Sequence, residues 1–563
     1  MSREVNLYRD PWVVVLDERA VAHEVSLADA FAEADRWRGL GGEMPTQSAV
    51  VLRLMLAILY RALRHDQADD EAAEEWAQWW QHGLPIDRIE SYLAEHQDRF
   101  DLFSETAPFM QVAGLHTAKG TTSGLSKLIA EIPDGWPYFT TRAGRGLESI
   151  GAAEAARWVV HAHAFDPSGI KSGADGDPRV KGGKGYPIGT GWCGNVGLVI
   201  PEGRSLAETL LLNLVHDRPS PAGDTAPWER DPATPAEEAG LASRPAGPVS
   251  LLTWQSRRLR LIREDSGRVV DALVCNGDKI GGQNRQREEY QTAWRRSPNQ
   301  EKAGTHGAVV YMPVRHAPER AVWRGLGGLL AGAATGRGTV QDAQRLLPPV
   351  VDWLGRLARL GVLDRNHPIR FRTVGAEYGS QSSTITAITD DAMSLRAAVL
   401  TDDVLKDTVV EAVDATDKAV WAFRSFAANL AQAAGGEPDG PRERATERAW
   451  NVLDRPFRDW ARGLNAETDV QQALTQWHTS AATQLRSLAT ELVREAGAKA
   501  FKGREVRFGS GEPTLVDAAL ADAWFRAALA KALDRAVRPS HPQEPTPPEV
   551  RTSDAPTDPS DRQ

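Results

Sequence analysis

The strongest constraint on this chain is a change in hydrophobic periodicity near residue 400. Beyond it, apolar residues recur three and four apart: Val420, Phe423, Ala427 and Leu430 within 417–434. The same spacing carries Leu474, Trp477, Ala481, Leu485, Leu488 and Leu492 through 468–496, and Val516, Leu520 and Trp524 through 515–537. A further helix is expected near 442–462. Such spacing lines one stripe of a helix, and each stripe needs a partner to bury it. Four amphipathic helices in succession predict a four-helix bundle. Upstream the pattern is mixed. Val13-Val14-Val15-Leu16, Leu198-Val199-Ile200 and Val309-Val310-Tyr311-Met312 are short, β-branched runs of buried-strand type, with helical patterns over 47–64 and 203–215. The expected fold class is therefore α+β: a large mixed α/β N-terminal domain over 1–380 and a C-terminal bundle over 381–538.

Two proline-rich stretches punctuate this plan. Residues 219–248 hold seven prolines and read as a long surface loop or linker. Residues 539–563 hold seven more with almost no large apolar residue, so that tail is expected to be disordered. The two cysteines, Cys193 and Cys275, exclude a disulfide framework and a Cys-rich zinc site. No signal peptide and no membrane span of uncharged apolar residues is visible, so a reducing cytoplasmic setting is expected.

Charge first argues against nucleic acid: 66 Lys+Arg stand against 76 Asp+Glu, a net −10. The acidity is unevenly placed. Residues 66–100 carry two Arg against ten acids, whereas 251–320 carry thirteen Lys+Arg against eight acids. A local basic edge therefore survives inside an acidic chain.

A search for catalytic constellations finds none. Gly182-Gly183-Lys184-Gly185 lacks the hydroxyl that a phosphate-cradling loop uses to hold magnesium. His65-Asp66 and His216-Asp217 have metal-phosphohydrolase chemistry, but each reads more simply as a solvated helix end. His161 and His163 cannot share a helical face, and a strand reading lacks a third ligand. Three segments look like recognition surfaces instead. Residues 169–194 contain nine glycines with Lys171, Arg179, Lys181 and Lys184 among them, and glycine lets a backbone approach a ligand closely. The basic stretch interleaves Trp254 with Arg257-Arg258 and Trp294 with Arg295-Arg296, and a polar stretch from Asn276 to Arg287 carries Lys279, Arg285 and Arg287 as a projecting loop. Tyr378-Gly379-Ser380-Gln381-Ser382-Ser383 forms a short polar loop at the expected junction of the two regions. Each segment has a plainer reading as a turn or a solvated face.

Taken in order, these segments resemble a known family. The markers are Asn6-Leu7 with Pro11-Trp12, Met44-Pro45-Thr46-Gln47, Phe100-Asp101-Leu102-Phe103 with Pro108-Phe109-Met110-Gln111, Gly169-Ile170-Lys171-Ser172-Gly173, Thr209-Leu210-Leu211-Leu212-Asn213 and Trp254-Gln255-Ser256-Arg257-Arg258. Together they are similar to the large subunit (CasA family) of the type I-E CRISPR Cascade, from Asn6 to about residue 537. The resemblance implies a non-enzymatic subunit without cofactor; some relatives bind zinc through two cysteine pairs, and with two cysteines in total this chain is expected to bind none. It implies partners too: double-stranded target DNA, the guide RNA-bearing backbone, 5′-handle-binding and small subunits, and a helicase-nuclease recruited after R-loop formation. It further implies that Ser168, Gly169 and Lys171 form a motif-reading glycine loop. One of Lys279, Arg285 and Arg287 would enter the minor groove, and Gln381 beside Ser380 would wedge the duplex open. Phe139, Thr140, Thr141 and Arg142 would contact the guide complex. Arg486, Arg494, Lys499, Lys502 and Arg504 would line the path of the displaced strand. The competing expectations are a metal-dependent nuclease built on a His-Asp pair and a purely architectural scaffold.

Overall fold

The computed structural model describes residues 4–65, 69–132, 140, 142, 148–303, 308–330, 343–508 and 511–536. It divides into two compact units: Met1–Asp417 with Trp450–Ala473, and Lys418–Ala449 with Leu474–Gln563.

The first unit combines small sheets with one apolar helix at its core. That helix, Pro45–Ala62, has proline in its first turn, where a missing N–H costs nothing, and it is buried along most of its length. Its strands are β1 (Val13–Leu16), β2 (Ala22–Val25), β3 (Gly39–Leu40), β4 (Lys171–Ser172), β5 (Lys184–Gly185), β6 (Leu198–Glu202), β7 (Arg257–Arg263) and β8 (Val269–Asn276). Then follow β9 (Trp294–Arg296), β10 (Tyr311–Pro313), β11 (Arg345–Leu346), β12 (Pro368–Tyr378) and β13 (Ile385–Arg396). They assemble in the orders β2-β1-β3, β5-β4-β8-β7, β10-β9-β11 and β13-β12-β6.

The expected strands at 13–16 and 198–200 form as read; the third forms later than expected, as Tyr311–Pro313. The helical pattern at 203–215 tightens to Leu206–Asn213, because the Ser205 hydroxyl accepts from Glu208 N–H and starts the helix there. One expectation narrows and one fails. The proline-rich 219–248 stretch is a surface loop, mostly exposed or half-buried, but not a linker: Trp228 is buried, and the buried Asp224 carboxylate accepts from Val249 N at 2.9 Å and Ser250 N at 2.7 Å. The polar loop at 379–383 is the tip of the β12–β13 hairpin rather than a junction, since β13 continues the sheet to Arg396.

The downstream helices run Asp403–Ala433, Asp439–Gly463, Val470–Lys502 and Ala518–Ala532. The second unit takes segments of all four. Phe525 stacks on Phe426 with ring centroids 5.0 Å apart, and Arg448 reaches Glu491 at 2.8 Å. The Asp517 carboxylate caps the last helix by accepting from Leu520 N at 2.7 Å. A hairpin the periodicity did not announce, β14 (Arg504–Val506) with β15 (Thr514–Val516), precedes it. The tail 539–563 lies outside the described residues.

Candidate nucleic-acid interface

The glycine-rich loop begins where the helix Ala152–Phe165 ends, at the buried Asp166. Arg257, only 1% exposed, organises it. Its Nε bonds the Asp166 carboxylate, while Nη2 donates to Asp166 O at 3.1 Å, Pro167 O at 3.0 Å and Gly189 O at 2.9 Å. Lys171 Nζ lies 2.6 Å from the same carboxylate. Burial alone would raise the Asp166 carboxyl, but the Arg257 and Lys171 charges outweigh it and hold it below the ordinary range. Lys171 is thus largely buried and occupied inside the protein, leaving Ser168 and Gly169 at the rim. Gly169 has φ +152°, which other residues rarely adopt. The exposed Ile170 follows it, and Tyr186, just past β5, is exposed too. The sequence reading missed both, although an isoleucine inside a Gly/Lys run was a visible signal.

The hairpin tip meets this loop directly. Ser168 N–H donates to Ser382 C=O at 2.8 Å, and the Tyr378 hydroxyl donates to Phe165 C=O at 2.6 Å. Within the turn, Gln381 (φ 55°) and Ser382 (φ 54°) are both left-handed. Such backbone costs a non-glycine residue about 1–2 kcal/mol. The turn holds it because Gly379 N bonds Thr384 O and Ser382 N bonds Gly379 O, each at 2.9 Å. Ser380 and Gln381 point into solvent.

The third segment leaves β8, whose Asn276 pairs with Arg257 across the sheet. It is pinned at both ends by buried ion pairs. Arg258 Nη2 lies 2.6 Å from Asp278 at the start, and Arg53 Nη2 lies 2.9 Å from Glu289 at the finish. Trp192 Nε1 adds a bond to Glu289 at 2.6 Å. Between these anchors Lys279 and Arg287 are exposed and Arg285 is half-buried. The Arg257–Asp166 cluster therefore joins the bases of all three segments: it clamps Pro167, the loop bonds the hairpin tip, and its own strand pairs with the start of the third.

The aromatic–arginine pairs do not form a stacking surface. Trp254 and Trp294 are core residues, and Arg257 and Arg258 are spent on Asp166 and Asp278. Arg257 and Arg258 add no free charge to the basic stretch, because each is paired with a buried carboxylate.

Of the expected guide-contact loop, Phe139 and Thr141 lie outside the described residues. Arg142 N bonds Thr140 Oγ1 at 3.0 Å, and its guanidinium engages Glu131 and lies 2.5 Å from Glu154. Among the displaced-strand candidates, Arg494, Lys499, Lys502 and Arg504 are exposed and Arg486 is half-buried.

The His-Asp pairs are not solvated helix ends. His65 and His216 are buried and stack with ring centroids 3.6 Å apart, and His216 Nε2 meets Glu75 at 3.1 Å. Burial, reinforced by His65, pushes His216 down to about 4, so the imidazole is neutral at pH 7. Asp66 lies outside the described residues, and Asp217 is engaged by Arg218 at 2.7 Å. His161 and His163 sit on a helix and point apart, to Thr46 Oγ1 at 2.9 Å and Met110 O at 2.8 Å. Among the described residues no three His, Cys, Asp or Glu form a group that could hold a metal ion.

The family model described as CRISPR-associated protein Cse1 matches residues 6–491. The chain belongs to the Cse1 family. That family supplies the large subunit of the type I-E Cascade. A crystal structure of Thermobifida fusca Cse1 superposes with TM-score 0.86 at 42% identity, over 95% of this chain and 99% of that one. The CasA/Cse1 protein of Thermus thermophilus is 32% identical over 271 residues, 46% of this chain and 50% of the relative. The chain thus spans half the length of that curated relative. A structure titled CRISPR RNA-guided surveillance complex shares the fold, with TM-score 0.64 at 19% identity over 94% of this chain and 99% of that one. No helix among the described residues of this Cse1 is long and apolar enough to cross a membrane.

Proposed function

We propose that this chain recognises the protospacer-adjacent motif of double-stranded DNA through the minor groove, helps open the duplex for the guide RNA, and recruits the helicase-nuclease. The observation that carries the reading is the bond from Ser168 N–H to Ser382 C=O. It ties a backbone-rich loop able to approach DNA closely to an exposed glutamine on a strained turn. In the minor groove A·T and T·A look alike and G·C adds only one amino donor. A loop of Ser168 and Gly169 with one long cation from Lys279, Arg285 or Arg287 suits such degenerate readout. Opening requires unstacking at a few kcal/mol per step, and a rigid wedge beside the motif holds the gap. Gln381 serves as that wedge. Sequence specificity then passes to guide pairing, with exposed cations of the helical unit steadying the displaced strand. Thr140 and Arg142 belong to the contact with the guide-bearing subunits. The chain acts in the cytoplasm and cleaves nothing itself.

Replacing Gln381 with Ala is expected to leave assembly into Cascade intact and to slow R-loop formation. Permanganate footprinting checks this; opening at the wild-type rate and position removes the wedge assignment. Incubating the purified chain with DNA and manganese tests the non-catalytic reading. Cleavage that disappears on His216→Ala would replace it with a nuclease.

A further inference from the structure

The three-stranded sheet β10-β9-β11 has a feature that motif reading does not use. β9 is its central strand, and Arg295 stands directly opposite Arg345 on β11. Like charges at directly opposed positions destabilise a sheet. Both side chains are exposed, and neither has an ion-pair or hydrogen-bond partner among the described residues. On the other face of the strand Trp294 is fully buried, which fixes the register and leaves the two arginines pointing the same way.

These arginines edge a cleft of about 200 Å³. Arg315 and Arg320 line it as well, and among the described residues lining it there is no Asp or Glu. Arg315 is oriented by an uncharged partner, Asn195 Oδ1 at 2.9 Å, so its charge stays uncompensated. Arg320 donates to Arg324 C=O at 2.6 Å and lies 3.9 Å from the Asp417 carboxylate, which Arg324 also faces. Gly328 lies beneath Arg345: a Cβ there would stand 3.2 Å from the guanidinium, so the side chain lies close over bare backbone. Four guanidinium groups around one small cleft without a lining carboxylate make a site short of negative charge. Guanidinium forks match phosphate oxygens two at a time, and the cleft holds a phosphate and part of a sugar but not a stacked base pair.

We propose that this cleft grips the phosphodiester backbone of a nucleic acid strand, with Arg295 and Arg345 as a two-pronged clamp and Arg315 and Arg320 closing the rim. The grip is independent of sequence, because phosphates carry no base information. Choosing a polynucleotide over free phosphate rests on the DNA-facing reading above.

The test uses the whole chain, a short labelled duplex of arbitrary sequence, and inorganic pyrophosphate. The variant R295Q/R345Q is expected to bind the duplex about 10-fold more weakly at moderate salt. Its log–log salt slope should fall by about 2, as for two lost phosphate contacts. R295K/R345K should retain the wild-type salt slope. Pyrophosphate should raise the melting temperature of the wild type but not of R295Q/R345Q. In buffer alone the glutamine variant should melt no lower than wild type, since it removes a like-charge pair. Unchanged duplex affinity and slope in R295Q/R345Q overturns the clamp while leaving the Gln381 reading intact. Pyrophosphate binding without any duplex binding by the wild type overturns both the backbone assignment and the DNA-facing reading.

Discussion

Asp166 is a buried carboxylate that answers two cations. It neutralises Arg257 and Lys171 at once, and Arg257 in turn holds the carbonyls that shape the loop leading to Ser168. Replacing Asp166 with Asn leaves two buried cations without a counter-charge, and losing one member of such a cluster costs about 3–5 kcal/mol. Urea unfolding should show that loss, and the double variant D166N/K171M should recover part of it. None of this was legible in the sequence. Arg257-Arg258 next to Trp254 has the composition of a stacking surface, and only the 91-residue separation from Asp166 conceals that Arg257 is a core residue. Lys171 is held by the same carboxylate, five residues away, and nothing in the local sequence announces that pairing. The turn that carries Gln381 was legible, because a polar, serine-flanked stretch advertises itself locally.

The β12–β13 hairpin is the element that presents Gln381. β12 is hydrogen-bonded to β6 on one side and β13 on the other, so the tip projects from a stiff base. The tip stores strain in two left-handed residues. Replacing Gln381 with Gly should relieve about 1–2 kcal/mol of that strain, offset by about 0.5–1 kcal/mol of added chain entropy. The expected net is a protein at least as stable as wild type in urea, yet as slow as Gln381→Ala in opening DNA. A stable but slow variant separates a functional strain from a structural one. The sequence indicated a turn here but placed it at a junction, because the twelve-residue strand 385–396, rich in Thr, Ala and Asp, carries little apolar signal. The downstream helices were legible in number because each repeats its apolar stripe over several turns. Their starts were not: the first begins at Asp403, well before the expected 417.

For the molecule as a whole, three buried histidines set the acid limit. His161, His163 and His216 are each pushed down to about 4, chiefly by burial. Nδ1 of His161 and of His163 is buried without a partner, so protonation there would create an unanswered buried N–H. In the unfolded chain the same groups titrate near 6.5. The unfolded state therefore binds more protons between these values, and stability falls as pH drops from about 6.5 toward 4. The melting temperature should be flat above neutrality and decline through that window, and His163→Gln, which keeps a donor for Met110 O, should make the decline shallower. A melting temperature independent of pH from 7 to 4 contradicts the neutral assignments. The sequence by itself determined the fold class, the helical character of the C-terminal region and the family, because periodicity and motif order are local properties that survive without coordinates. Only the tertiary structure decided which charges face outward. Arg53, Arg257 and Arg258 are neutralised by Glu289, Asp166 and Asp278, whereas Arg295 and Arg345 meet each other. Coulomb energy depends on distance in space, and the chain reveals only distance along itself.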